Sequence, residues 1–118
     1  MDKEVKSVFK AKLIRVVDGD TIDAQIDLGF DVFINKRIRL WGINAPERRS
    51  DDVHEVSTAK RALMRLASIL ALSGGEFYLV AHGSGKYGRC LGEIFVESMQ
   101  ESVNKVLISE GLAEEYKS

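Results

Sequence analysis

Three short clusters in this chain carry side chains that could handle a phosphate ester. The first is Asp18-Gly19-Asp20-Thr21. An Asp-Gly pair reads as a turn between strands, and a carboxylate at the start of the next strand is also a ligand for a hard cation. The second is Arg39-Leu40-Trp41-Gly42-Ile43-Asn44-Ala45-Pro46-Glu47. A strand end followed by a proline-broken loop accounts for Gly42 and Pro46. It does not account for Arg39, which sits among Ile38, Leu40 and Trp41, because a guanidinium in an apolar run needs a carboxylate or phosphate partner. The third is Gly83-Ser84-Gly85-Lys86-Tyr87-Gly88-Arg89. It reads either as a glycine-rich hairpin with solvated charges or as a loop that brings an arginine, a lysine and an aromatic ring to an anionic substrate. It lacks the Gly-Lys-Ser/Thr ending of a nucleotide-binding P-loop.

The elements that must position these clusters follow from hydrophobic periodicity. Phe9, Ala11 and Leu13 alternate with Lys10 and Lys12, which predicts a strand. Ile22, Ala24, Ile26 and Leu28 alternate with Asp23, Gln25 and Asp27, the clearest half-buried strand of the chain. Gly29 starts a turn, and Val32 to Trp41 reads as a third strand. If the second and third strands form an antiparallel hairpin turning near Gly29 to Asp31, Asp20 falls opposite Arg39 or Leu40. The first two clusters then meet at one end of the sheet.

Asp52 and Glu55 have capping-box spacing for a helix on which Ala59, Leu63, Leu66 and Leu70 share a face and which Ser73-Gly74-Gly75 ends. Phe77 to Ala81 and Leu91 to Val96 read as two further strands. Val103, Val106 and Leu107 predict a short closing helix that stops at Gly111. The order gives a mainly β fold with α: a five-stranded OB-fold barrel with a helix between strands three and four and a short C-terminal helix. An α+β sandwich fits the same order.

The 118 residues fit one domain, spanning 1–118, and the 45% hydrophobic content is enough for a core. A formal net charge of −1 excludes a protein that holds nucleic acid by bulk positive charge, so any phosphate contact must be local. One cysteine, Cys90, excludes an internal disulfide framework, and no Cys/His cluster points to zinc. Neither a signal region nor an apolar run of about 20 residues is present, so the expectation is no membrane association and a cytoplasmic site, or secretion if a leader was removed.

Together the clusters resemble the staphylococcal nuclease family. Asp18-Gly19-Asp20-Thr21, Arg39-Leu40 through Asn44-Ala45-Pro46-Glu47, Lys86-Tyr87-Gly88-Arg89, Val103-Asn104 and Gly111-Leu112-Ala113 stand in that family's order and spacing, from about Phe9 to Ala113. The resemblance implies an OB-type barrel that uses calcium to hydrolyse DNA and RNA and leaves 3′-phosphates. It implies Asp20, Asn44 and the Ala45 carbonyl as calcium ligands, and Glu47 as the residue that activates or orients the attacking water. Arg39 and Arg89 would grip the phosphate and its transition state, and Lys86 and Tyr87 a neighbouring phosphate. Two departures stand out. Asn44 replaces the family's usual aspartate, which removes one negative charge from the metal site. The chain stops at Ser118, where longer members continue into a third helix, and Tyr116 does not align with their base-stacking tyrosines.

The chemistry is consistent with these assignments. In-line attack by water builds negative charge on phosphoryl oxygens, which two arginines and a divalent cation stabilise, and a carboxylate can serve as general base. Nothing resembles a reader of base edges, so little sequence preference is expected; the resemblance implies DNA and RNA as substrates, single strands by preference, and the expected state is a monomer. The alternative is an OB-type nucleic-acid-binding module that is catalytically weak or inactive. Asn44 is the residue that speaks for it. His54 and His82 read as surface or structural residues, Trp41 and Phe95 as core, and Cys90 as an inert small hydrophobe.

Overall fold

The computed structural model describes residues 7–84 and 88–116. Seven strands and two helices follow in the order β1 (Val8–Asp18), β2 (Thr21–Asp27), β3 (Phe33–Leu40), β4 (Ile43–Asn44), α1 (Val53–Leu72), β5 (Glu76–Ser84), β6 (Cys90–Phe95), α2 (Val103–Ser109) and β7 (Glu114–Glu115). Five of them close a barrel in the order β1-β2-β3-β6-β5, which is the predicted OB-fold barrel. The sandwich alternative falls with that closure. β1 pairs with both β2 and β5, and register shifts between Leu13 and Arg15 and between Val16 and Asp18 let so long a strand bend to serve both neighbours. The seam is the parallel pairing of β3 with β6, Ile38 to Leu40 against Cys90 to Gly92.

Alternation fills the barrel. Ile22, Ala24 and Ile26 of β2, Ile38 and Leu40 of β3, Phe77 and Leu79 of β5 and Ile94 of β6 all point inward. Gly92 leaves room at the seam for Leu79, because a β-carbon there would lie 2.3 Å from Leu79 Cδ1 and that buried side chain would have to shift. α1 closes one end of the barrel with Ala59, Ala62, Leu66, Ile69 and Leu70. Leu63, expected on that face, is only half-buried. The helix ends in a Schellman motif, with the Gly75 N–H on the Leu70 carbonyl and the Gly74 N–H on that of Ala71. Its start departs from the predicted capping box. Asp52 does cap, accepting from the His54 N–H at 2.9 Å, but Glu55 turns away to accept from the Glu47 N–H at 3.1 Å.

Two further expectations are corrected. Leu28 follows the end of β2 and is exposed, because the β2–β3 hairpin projects past the barrel. Phe30 at its tip, with φ 56°, is fully exposed. Trp41 is not core either. Leu40 takes the last inward position of β3, so alternation throws Trp41 outward, where it is 42% exposed. The two-residue strands β4 and β7, paired antiparallel, have too little pattern to be visible in the sequence. Among the described residues no helix is long and apolar enough to cross a membrane.

Candidate active site

The hairpin register sets the site. Thr21 pairs with Arg39, and the Leu40 N–H donates to the Asp20 carbonyl at 2.8 Å, so Asp20 stands opposite Leu40 as the turn geometry required. Ile38 and Leu40 are buried, so Arg39 between them faces outward at the strand end. The turn carrying Asp20 is pressed against the helix. A β-carbon on Gly19 would lie 2.7 Å from Ala62 Cβ and 3.1 Å from Ala45 Cβ. Gly19 is therefore needed for close approach and not for a left-handed turn, which the Asp-Gly pair alone could not distinguish.

The Arg39 guanidinium organises the loop that follows it. Its Nη1 lies 3.1 Å from Asp20 Oδ2 and donates to the Ile43 carbonyl at 2.9 Å, while Nη2 bonds the Asn44 side-chain oxygen. The chain from Leu40 to Asn44 thus wraps round the guanidinium, and Gly42, at φ 82°, allows the turn. Asp20 completes the cluster, with Oδ1 accepting from the Thr21 hydroxyl at 2.9 Å and Oδ2 from the Ala45 N–H at 2.8 Å. Arg39 and Asp20 are both mostly sheltered, at 16% and 14% side-chain exposure, so the pair is far less screened than a surface ion pair. The partner that the sequence demanded for Arg39 is Asp20.

The remaining predicted residues lie around this cluster. Glu47 is exposed three residues beyond Asn44, and its N–H is fixed to Glu55 of α1. Hydrogen bonds from Ser50 and from that N–H hold the Glu55 carboxyl below its usual range. Arg89 is half-buried and lines a cleft with Asp18, Thr21, Asn35, Lys36 and Arg37. Thr21 is common to this cleft and to the Asp20 cluster, while Asp20, Arg39 and Asn44 themselves do not line it. Lys86 and Tyr87 lie outside the described residues. At Ala45 the recorded contact is through its N–H.

Sequence reasoning missed two structural supports. Arg48 pairs with Asp18 at 2.6 Å and ties the loop to the end of β1. Asn104, only 3% exposed, accepts from the Ile94 N–H at 3.1 Å and donates to the carbonyls of Trp41 at 2.8 Å and Gly92 at 3.1 Å. It fastens α2 to β6 and to the first residue of the site loop. The Val103-Asn104 match to the family's pattern, with a polar residue at the start of an amphipathic helix, was the signal for it. His82 accounts for itself as a structural residue: its ring stacks on Trp41 and its Nε2 lies 3.2 Å from Glu93 Oε1. His54 is exposed, and burial pushes the Cys90 thiol above its usual range, as an inert residue requires.

Among the described residues no group of three or more His, Cys, Asp or Glu is arranged to hold a metal ion. An oxygen site built on one carboxylate and one amide is compatible with that finding. Asp20 and Asn44 converge closely enough for one guanidinium to touch both side chains, and an all-oxygen donor set of this kind suits a hard divalent cation.

Fold and site together define an OB-type barrel with an acidic and arginine cluster at one end. The family model described as Staphylococcal nuclease homologue matches residues 37–118, more than half of the chain. The chain belongs to this family. Similar curated proteins include the Micrococcal nuclease of Shigella flexneri, 28% identical over 119 residues, and Protein ParB of Escherichia coli, 27% identical over 116 residues. Each match covers 92% of this chain but only 59% and 58% of the relatives, so the chain spans under two thirds of their length.

Proposed function

We propose that this chain is a calcium-dependent nuclease that hydrolyses phosphodiester bonds of single-stranded DNA and RNA with little sequence preference and leaves 3′-phosphates. The observation that carries the reading is the convergence of Asp20, Asn44 and Arg39 at one end of the barrel. Family membership supports the nuclease class. Calcium, the strand preference and the product ends come from the resemblance.

In this reading the Asp20 and Asn44 side chains and the Ala45 carbonyl hold the cation. When bound, the cation offsets negative charge on the phosphoryl oxygens. Arg39 is held by Asp20, the Ile43 carbonyl and Asn44, and a cation taken up by Asp20 and Asn44 would free its Nη2 for an equatorial oxygen. Arg89 would meet the same group from the neighbouring cleft. Glu47 is the general base, or the group that orders the attacking water. Its exposure gives water free access, and the backbone anchor to Glu55 limits its excursion. Lys86 and Tyr87 would contact the next phosphate.

Turnover of single variants tests these roles. Glu47→Gln, Arg39→Ala and Arg89→Ala should each lower kcat on the order of 10²–10³, the usual loss for one transition-state group, with thermal melts verifying that the barrel is intact. A folded variant with native turnover would remove that residue from the mechanism.

A further inference from the structure

We propose that the cleft beside the Asp20 cluster, lined by Asn35, Lys36 and Arg37, binds a further phosphate of a single-stranded nucleic acid, so that β3 carries the strand away from the site. The inference rests on the nuclease reading above and adds a binding site to it, with ligands other than Lys86 and Tyr87. Ile38 and Leu40 point inward, so Arg37 and Arg39 share the outer face of β3. Opposite them on β2 stand Asp23 and Thr21. Two residues along a strand are about 6.6 Å apart. One nucleotide of an extended strand covers such a span from phosphate to phosphate. A phosphate at Arg39 therefore leaves the adjoining one at Arg37, in the cleft that Thr21 shares with the Asp20 cluster.

The cleft is cationic and its arginine is preset. Its volume is about 520 Å³, room for a phosphate with its sugar. Lys36, Arg37 and Arg89 line it, against one carboxylate among the described residues, Asp18, which Arg48 pairs at 2.6 Å. In a chain of net charge −1, such a local patch is what phosphate binding needs. Asp23 holds Arg37 through Nε at 2.8 Å and Nη2 at 3.1 Å, which orients the guanidinium and leaves Nη1 without a partner among the described residues. A guanidinium fixed before binding loses little freedom when a phosphate arrives. Arg15 bonds the same carboxylate at 2.9 Å. The side chains of Arg15 and Arg37 are 64% and 43% exposed and that of Asp23 is 21% exposed, so solvent meets two cations over one covered anion. Asn35 and Lys36 are exposed on the projecting part of the hairpin.

Binding of a labelled short oligothymidylate in chelator, followed by anisotropy across a salt series, tests the cleft. Each phosphate of a single strand that the protein neutralises contributes roughly 0.7 to the fall of log K with log salt. Lys36→Ala combined with Arg37→Ala removes one such contact and should weaken binding at low salt and lower the slope by about 0.7. Lys36→Ala alone, which spares the Arg37–Asp23 pair, should give part of the same fall. Oligoadenylate should lose as much as oligothymidylate, because phosphate contacts carry no sequence. Lys10→Ala removes a cation from a different cleft and should leave the slope unchanged. A native slope in both cleft variants, or an equal fall in Lys10→Ala, overturns the phosphate site alone, whether or not the native protein cleaves DNA. A native protein that neither binds nor cleaves overturns the nuclease reading with it.

Discussion

Replacing Asn104 with leucine, a side chain of similar volume, removes the amide that joins α2 to the site loop. Three backbone groups lose a partner: the Ile94 N–H and the carbonyls of Trp41 and Gly92. The Gly92 carbonyl keeps the Trp41 N–H at 2.7 Å, so the cost falls mainly on the Ile94 N–H and in part on the Trp41 carbonyl. The Ile94 N–H is fully buried and takes the larger penalty, while solvent reaches the Trp41 carbonyl in part. At about 1–3 kcal/mol for a buried group that loses its partner, the expected loss is roughly 2 kcal/mol. That is a large fraction of the ~5–15 kcal/mol that holds a domain together. Urea unfolding followed by the fluorescence of Trp41, which adjoins the broken bond, measures it. The midpoint should fall with little change in slope. A loss below about 1 kcal/mol would refute the reasoning that this amide fastens α2 to β6 and to the site loop.

Two further outcomes are expected. Asn44→Asp adds a negative charge beside Asp20 and should tighten calcium binding in the free protein; unchanged or weaker binding by calorimetric titration would remove Asn44 from the metal site. Asp23 is held down to about 2 from its ordinary 3.8, chiefly by its hydrogen bond with Arg37 and further by Arg15. Its folded pKa is depressed, so its contribution is full above pH about 4 and fades as pH falls towards 2. Both arginines are well exposed, which limits the contribution to about 1 kcal/mol. Asp23→Asn should cost about that much at neutral pH, and the gap between native and variant melts should close on acidification; a pH-independent gap would contradict the assignment.

The barrel was legible because β2 alternates cleanly and both helices end at glycines, features set by local sequence. The meeting of Asp20 with Arg39 was legible for the same reason, since a hairpin with a known turn fixes its own register. Long-range packing decided the rest. Trp41 looks like core in one dimension, but a single inward Leu40 reverses it. Gly19 looks like a turn residue until α1 presses Ala62 against it. Glu55 has the spacing to cap its own helix, yet the Glu47 N–H from the site loop captures it. Asn104 and Arg48 act through partners 63 and 30 positions away, Trp41 and Asp18, which no local pattern encodes.

We propose that the cluster at Asp20, Arg39 and Asn44 serves a metal-dependent nuclease. Cleavage of a single-stranded DNA by the purified chain, with added calcium and then with excess chelator, tests it most directly. The expected result is cleavage in calcium that yields 3′-phosphate ends and stops in chelator. Equal cleavage with chelator would contradict the metal role, and no cleavage at any calcium concentration would contradict the nuclease assignment itself.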